Sequence, residues 1–213
     1  MREIVKYIEQ TYEPLAILIY GSYADGSNNQ NSDFDALVIS KSHKVFHDVS
    51  FVNGIQLDVF VYPMVYFERA FDCGDFIQLY DSKIILDVNG RGQWLKKQVV
   101  DHVDSISNKT PAEIKTQIEW CRKMFQRTKR CDTEGMFRWH WVLVDSLEIF
   151  CDAVGHMYWG PKKTLRWMED AYPEGFAYYK KALNQFETDC LEQWILYLEQ
   201  LNADLNTSEP SNP

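Results

Sequence analysis

The stretch that decides the fold is Gly21-Ser22-Tyr23-Ala24-Asp25-Gly26-Ser27, followed by Ser32-Asp33-Phe34-Asp35 and, beyond a turn, by Gln56-Leu57-Asp58-Val59-Phe60. An almost continuous apolar run, residues 15–20, comes directly before it and is typical of a strand buried on both faces. Gly21 accepts backbone angles that other residues resist, so the chain can turn sharply where this strand ends. The stretch therefore predicts a buried strand, a Gly-Ser corner and two further segments that carry carboxylates.

Two aspartates stand where the second strand begins. Residues 34–40 form an apolar run after a loop rich in Asn and Ser, and this pattern predicts a strand. Alternation along a strand puts Asp33 and Asp35 on one face and turns Phe34 to the other. Each aspartate alone is equally consistent with a turn residue. Two carboxylates at one edge of a sheet, however, are able to bridge one or two hard cations.

A third aspartate follows on the next strand. Asn53-Gly54 is a strong hairpin signal, because both residues adopt positive φ at low cost. The returning strand, residues 55–62, carries Asp58 as a lone charge in an apolar run. Taken alone, Asp58 could be a salt-bridged strand residue. Because burial of an unpaired carboxylate is costly, we expect Asp58 to have a cation partner, and the three aspartates together predict a metal site.

The Gly-Ser corner is the expected phosphate-binding element. Ser22 offers a hydroxyl and a backbone N–H, and a helix that begins here would direct free N–H groups at an anion. We therefore assign Gly21, Ser22 and Ser32 to nucleotide binding, with Ser22 at the outer phosphates of a triphosphate. Phosphoryl and nucleotidyl transfer depend mainly on positioning and on charge neutralisation, which carboxylate-held Mg²⁺ and phosphate-binding donors supply.

These residues resemble the nucleotidyltransferase superfamily that includes DNA polymerase β and the kanamycin and lincosamide nucleotidyltransferases. The shared pattern is a Gly-Ser corner, here Gly21-Ser22, then Asp33-x-Asp35, then a later single aspartate on a strand, here Asp58. The resemblance implies two Mg²⁺ ions, both ligated by Asp33 and Asp35, with Asp58 on the catalytic ion. It also implies attack of an acceptor on the α-phosphate of a nucleoside triphosphate, with ATP as the expected donor and pyrophosphate as the leaving group.

The organisation of the chain changes near residue 108. Helix-like and strand-like segments alternate before it, and every later segment is predicted to be helical. The resemblance and this pattern predict an α+β protein, with an N-terminal mixed β-sheet flanked by helices and an all-α helical bundle after it. The expected parts are a catalytic domain, 1–107, a helical acceptor-binding domain, 108–205, and a flexible tail, 206–213. The predicted helices of the second half cover about 111–129, 133–158, 161–170, 174–186 and 188–205.

Charge and composition limit the classes of molecule that the protein is expected to bind. The net charge of the 213-residue chain is −9, whereas proteins that bind long nucleic acids usually carry basic surfaces, so we expect no nucleic-acid partner. A cationic acceptor would instead be attracted. No run approaches the roughly 20 apolar residues of a membrane span, and the N-terminus indicates an amphipathic helix, so we expect no membrane partner and a cytoplasmic location. The cysteines lack metal-ligand spacing and are expected to be free thiols: Cys73, Cys121, Cys131, Cys151 and Cys190.

One helical segment carries a row of acids. Asp145, Glu148 and Asp152 follow Trp141 at spacings of four, three and four residues, so they fall along one helix face. A solvated acidic stripe is the plainer interpretation. In the kanamycin-type enzymes, which this arrangement resembles, a glutamate ahead of a Gly-Pro turn activates the acceptor. By that resemblance Glu148 would take the proton of the acceptor hydroxyl, and Asp145 would hold a cationic substrate.

A lysine of those enzymes has no counterpart at the matching position. It stands one helical turn after the activating glutamate, where this chain has Asp152. Its phosphate contact is therefore absent here or supplied elsewhere, with Lys162 and Lys163, directly after Gly160-Pro161, as candidates. Solvent-facing lysines are the plainer interpretation of that pair.

The resemblance implies an enzyme that transfers a nucleoside monophosphate to a hydroxyl of a small acceptor, with an aminoglycoside- or lincosamide-like antibiotic as the first expectation. Two alternatives stay open. One is a protein-modifying adenylyltransferase of the antitoxin type, whose members are generally shorter and lack a long helical domain. The other is a catalytically silent nucleotide-binding regulator, although such a protein has no reason to keep all three aspartates. Related small enzymes often form homodimers, and the sequence leaves that option open.

Overall fold

The computed structural model describes residues 1–41, 44–130 and 132–208, and the side chains of residues 205–208 are not part of that description. Cys131 and residues 209–213 of the predicted tail lie outside the described residues. The chain forms two compact units, of which the first runs from Met1 to Ile106 and the second begins at Ser107.

Six strands form one mixed sheet within the described residues of the first unit. They are β1 (Pro14–Ile19), β2 (Phe34–Ser40), β3 (Phe46–Asp48), β4 (Phe51–Val52), β5 (Ile55–Pro63) and β6 (Lys83–Asp87). The order across the sheet is β3-β5-β2-β1-β6, and β4 pairs with β5 outside this path. Among these described strands, only β2 and β5 run parallel to each other, and the remaining pairs are antiparallel. The mixed sheet agrees with the predicted fold class.

Helices cover both faces of this sheet, which explains why β1 is apolar without alternation. They are α1 (Arg2–Tyr12), α2 (Gly21–Asp25), α3 (Met64–Phe67) and α4 (Arg91–Asp104), with a 3₁₀ helix at Cys73–Leu79. On one face, Ile4 and Ile8 of α1 join the core formed with Ile17 of β1. On the other face, Gly92 of α4 lies directly against the methyl group of Ala16.

The second unit is helical throughout its described residues. Its helices are α5 (Pro111–Thr128), α6 (Thr133–Ala153), α7 (Pro161–Ala171), α8 (Pro173–Asn184) and α9 (Thr188–Ser208). The fully buried Trp194 of α9 donates a hydrogen bond from its indole nitrogen to Ser146 Oγ of α6 at 2.8 Å. In the same core, the Tyr179 hydroxyl donates to the Leu143 carbonyl at 2.9 Å. The indole N–H of Trp194 and the hydroxyl of Tyr179 thus both have hydrogen-bond partners inside an aromatic core, as is required of buried polar groups.

Between β2 and β5, the sequence pattern predicts one strand over about 48–53, and the structure differs from this prediction. The segment forms two short strands, because the Asp48 side chain accepts a hydrogen bond from the Ser50 N–H at 2.9 Å and turns the chain between them. The predicted Asn-Gly hairpin is confirmed, with Val52 opposite Ile55 and positive φ at both turn residues.

Three helix boundaries also differ. After the last strand of the hairpin, the sequence pattern predicts a short helix over 65–71, but this helix ends at Phe67, and the pattern does not predict the 3₁₀ helix that follows. The helix expected over 133–158 ends at Ala153, because Gly155 adopts a φ of 65° and leads the chain out of the helix. Helix α9 continues to Ser208, past the expected end at 205.

The cysteines within the described part of the chain are free, as expected. Burial raises the pKa of both Cys121 and Cys151 to about 12, so these thiols are packing residues rather than nucleophiles. Among the described helices, none combines the length and the hydrophobicity that a membrane crossing requires.

Candidate active site

The parallel pairing of β2 and β5 brings the three aspartates together. The register sets Asp35 directly opposite Asp58, and Asp33 lies at the entry to β2. One carboxylate oxygen from each aspartate can be chosen so that all three lie within 4.8 Å of one another. Phe34 and Leu57 point to the opposite face and are buried, as the alternation predicts.

The Gly21 corner presses against this cluster. Gly21 has a φ of 63°, and a Cβ on it would collide with Asp35 Oδ2. The backbone N–H of Tyr20 donates to the Asp35 carbonyl at 3.2 Å, which ties the end of β1 to β2. Only glycine combines this backbone conformation with so close an approach, so the residue type at position 21 follows from the position of Asp35.

The loop after the corner is held by the serines assigned to nucleotide binding. The carbonyl of the buried Ser22 accepts hydrogen bonds from the N–H groups of Gly26 and Asn28, at 3.0 and 3.1 Å. The Ser32 hydroxyl accepts from the Asn29 N–H at 3.0 Å, immediately before Asp33. The hydroxyl of Ser32 therefore has a structural role in shaping this loop.

The electrostatics of the cluster suit a cation. Burial raises the pKa of Asp35 to about 6, and the charges of Asp33 and Asp58 add to the rise. Burial also raises the pKa of Tyr20, with further contributions from Asp58 and Asp35. Three crowded carboxylates with oxygen-only donors are the ligand type that Mg²⁺ prefers, and a bound cation would remove their mutual repulsion. The residues present therefore fit a divalent metal ion.

Asp58 differs from its expected environment. The apolar run around it indicates a buried charge that needs a partner, but its side chain is 34% exposed, and the partner in the structure is the imidazole of His47. The partner comes from β3, which lies antiparallel to β5 and places His47 opposite Phe60. No local feature of the sequence indicates this contact, because it depends on the register of two strands that are joined through a loop.

The acidic residues of α6 border a groove of about 400 Å³ within the second unit. Asp145 is half-buried and Glu148 is exposed, and neither forms an ion pair within the described residues. The indole of Trp120 packs edge-to-face on Trp141, with ring centroids 5.3 Å apart. The groove is lined by Thr116, Gln117, Trp120, Asp145, Glu148 and Ile149.

Gln117 adds an unsatisfied acceptor to the groove. Its Oε1 atom is shielded from solvent and has no hydrogen-bond partner within the described residues. A buried carbonyl oxygen without a partner is unfavourable by about 1–3 kcal/mol, so a bound N–H or O–H group would be stabilised there.

Asp152 does not belong to this groove. It pairs with Lys109, whose Nζ lies 2.7 Å from Asp152 Oδ2. The chain thus places a lysine ammonium beside the position where kanamycin-type enzymes carry a lysine, but from a loop 43 residues away. Of the two lysines considered from the sequence, Lys163 lies over the ring of Trp159 at 5.9 Å and Lys162 is exposed.

The mixed sheet thus brings three carboxylates together beside the Gly21-Ser22 corner. Residues 1–128 match the family model described as "Nucleotidyltransferase domain", and the chain therefore belongs to that family. Nucleotidyl transfer is accordingly the general class of activity that the family supports.

Two solved structures are similar to the chain. A nucleotidyltransferase-like protein from Exiguobacterium sibiricum 255-15 shares 13% identity at a TM-score of 0.41, over 94% of this chain and 72% of that one. A toxin-antitoxin with AMP-PNP shares 15% identity at a TM-score of 0.33, over 48% of this chain and 86% of that one. Both TM-scores are below 0.5, too low to support an inference about function. The comparison with curated proteins found no match.

Proposed function

We propose that the protein is a Mg²⁺-dependent nucleotidyltransferase that moves AMP from ATP to a hydroxyl of a small cationic acceptor, of the aminoglycoside or lincosamide kind. The observation that carries the proposal is the convergence of three carboxylate oxygens, from Asp33, Asp35 and Asp58, within 4.8 Å of one another. A cluster of this kind is unfavourable without a cation, as the raised pKa of Asp35 indicates.

The first unit binds the nucleotide in this proposal. Asp33 and Asp35 would hold two Mg²⁺ ions, and Asp58 would help to hold one of them. Bound Mg²⁺ supplies neutralisation of phosphate charge and activation of the attacking oxygen. The Ser22 hydroxyl and the corner that begins at Gly21 bind the outer phosphates. Because Asp35 lies so close to Gly21, this phosphate-binding corner is adjacent to the aspartate cluster.

The second unit binds the acceptor. Asp145 pairs with an acceptor amine, Gln117 Oε1 accepts a hydrogen bond from its N–H or O–H groups, and Trp120 lines the same groove. Glu148 takes the hydroxyl proton as the acceptor oxygen forms its bond to the α-phosphorus. The bond from the α-phosphorus to the bridging oxygen breaks in the same displacement, and pyrophosphate leaves with that electron pair.

The test is transfer of label from α-³²P-ATP to a panel of aminoglycosides, lincosamides, neutral sugars and proteins, with Mg²⁺ and with EDTA. We expect a labelled small amine-bearing product and pyrophosphate only with Mg²⁺. Label on protein would support the antitoxin-type alternative instead. Absence of transfer with ATP, GTP, CTP and UTP would contradict the proposed activity.

Glu148→Gln tests the acceptor base. Loss of the proton acceptor is expected to lower kcat by about 10²–10⁴-fold without changing the affinity for ATP. Glu187→Gln is the matched control. Glu187 is exposed between α8 and α9, so this substitution makes the same chemical change outside the groove. Near-normal turnover of Glu148→Gln would exclude the role.

A further inference from the structure

His47 is fixed at Asp58 by two contacts of different kinds. Its Nε2 atom meets Asp58 Oδ1. Its ring lies flat against the ring of Phe60, with the centroids 4.1 Å apart and the planes 2° from parallel. Asp58 and Phe60 are two residues apart on β5 and therefore face the same side of the sheet, where His47 spans them from β3.

The strand that carries His47 is itself anchored. The next residue, Asp48, is buried and accepts hydrogen bonds from the Tyr12 hydroxyl and from the Ser50 N–H. The preceding residue, Phe46, packs edge-to-face on the Tyr12 ring with centroids 5.3 Å apart. His47 is 41% exposed, yet its backbone is held on both sides, so its imidazole has a defined position.

The direction of the hydrogen bond decides what His47 can do. A carboxylate oxygen only accepts hydrogen bonds, so Nε2 carries a hydrogen and donates a hydrogen bond to Asp58 Oδ1. A protonated Nε2 has no lone pair for a metal ion. The contact therefore orients the Asp58 carboxylate, which also meets Asp35, and Nε2 does not act as a fourth ligand.

We propose that His47 is a positioning residue for cation binding, which holds Asp58 in the orientation that the aspartate cluster requires. This inference rests on the proposed function, since it assumes that the cluster binds a divalent cation. A carboxylate already fixed by a hydrogen bond loses less rotational freedom when it binds a metal. Removal of such a supporting partner typically weakens metal affinity by about 10–100-fold.

The test is titration of the full-length protein with Mn²⁺ at fixed pH, in the presence of α,β-methylene-ATP, with free Mn²⁺ followed by its EPR signal. His47→Gln keeps an N–H donor near the position of Nε2, whereas the amide of His47→Asn is one carbon too short. We expect the Kd for Mn²⁺ to rise at least about tenfold in His47→Asn and to stay within about threefold of wild type in His47→Gln. His102→Asn, in α4 and outside the cluster, is the matched control and should bind as wild type.

The outcomes separate this inference from the proposed function. Wild-type affinity in His47→Asn, or an equal loss in the glutamine and asparagine variants with unchanged melting temperatures, would overturn the positioning role alone. A wild-type protein that binds no Mn²⁺ would overturn both. Should the asparagine variant not fold, His47→Leu against His47→Gln gives the same comparison.

Discussion

At Asp35, the stability of the metal-free protein and the proposed binding of a cation favour different charge states of the carboxyl group. Its folded pKa of about 6 lies above the ordinary value of 3.8, so the folded protein holds a proton that the unfolded chain releases between these values. Stability therefore falls as pH rises from about 4 to about 6, and it stays lower above that range. A bound cation would reverse this effect at neutral pH.

Asp35→Asn is expected to stabilise the metal-free protein at pH 7.5 and to abolish cation binding. The gain should be about 1–2 kcal/mol, because the shift of roughly two pKa units is reduced by solvent at a half-buried group. Urea unfolding in EDTA at pH 4 and at pH 7.5 measures it. Equal stability of the variant and the wild type at both pH values would contradict the assignment.

Gly21 gives a second prediction at the residue scale. Gly21→Ala adds a methyl group that meets Asp35 Oδ2, in addition to about 1–2 kcal/mol of strain from the left-handed backbone. Gly26→Ala is the matched control, since its φ is 83° and the position is open. We expect both variants to lose stability but only Gly21→Ala to lose Mn²⁺ affinity, as measured by thermal melts and EPR titration. Equal affinities would show that the corner does not constrain the cluster.

At the scale of elements, the attachment of β3 to α1 depends on a buried hydrogen bond. Burial acts to raise the pKa of Asp48, but the hydrogen bonds from Tyr12 and Ser50 outweigh it and hold the pKa below 3.8. This contribution to stability is present above pH 3.8 and is lost as pH falls through the lower folded value.

Tyr12→Phe removes the hydroxyl that pairs with Asp48 and should destabilise the protein by about 1–3 kcal/mol at pH 7, and by less in acid. Tyr7→Phe is the milder control, because the Tyr7 hydroxyl is 3.5 Å from Asp48 Oδ2. Urea unfolding at pH 7 and pH 3 compares them. An effect of Tyr12→Phe that is no larger than that of Tyr7→Phe would contradict this account of β3.

The elements also show what a sequence reveals about this site. The placement of Asp33 and Asp35 on one face follows from local alternation, and Gly21 marks the corner because few other residues tolerate its φ. The direct opposition of Asp35 and Asp58 depends on the parallel register of β2 and β5, which the residues of either strand do not encode alone. His47 was missed for the same reason, since its partner is set by the pairing of β3 with β5.

In the helical second unit, too, local spacing predicts which residues share a face but not which helices pack together. Spacing along α6 predicted that Asp145 and Glu148 share a face, and both line one groove. It could not predict Gln117 and Trp120, which come from α5 and meet them only through helix packing. Lys109 likewise contacts Asp152 although the two residues are 43 positions apart in the chain. Of the three acids on this helix face, two therefore line the groove and the third forms an ion pair.

At the scale of the whole molecule, each compact unit has its own hydrophobic core and its own group of polar residues. The first unit has the aspartate cluster, and the second has the acidic groove. The net charge of −9 favours a cationic acceptor over nucleic acid. In the proposed reaction, the aspartate cluster would bind the nucleotide with its metal ions, and the acidic groove would bind the acceptor.

The most direct test is isothermal titration calorimetry of α,β-methylene-ATP into the full-length protein, with Mg²⁺ and with EDTA, for wild type and for Asp33→Asn. Asp33 is exposed, so its replacement should leave the fold intact by circular dichroism. We predict that wild type binds the nucleotide much more tightly with Mg²⁺ and that Asp33→Asn loses this difference. Equal affinity of wild type in Mg²⁺ and in EDTA would contradict the metal-dependent site.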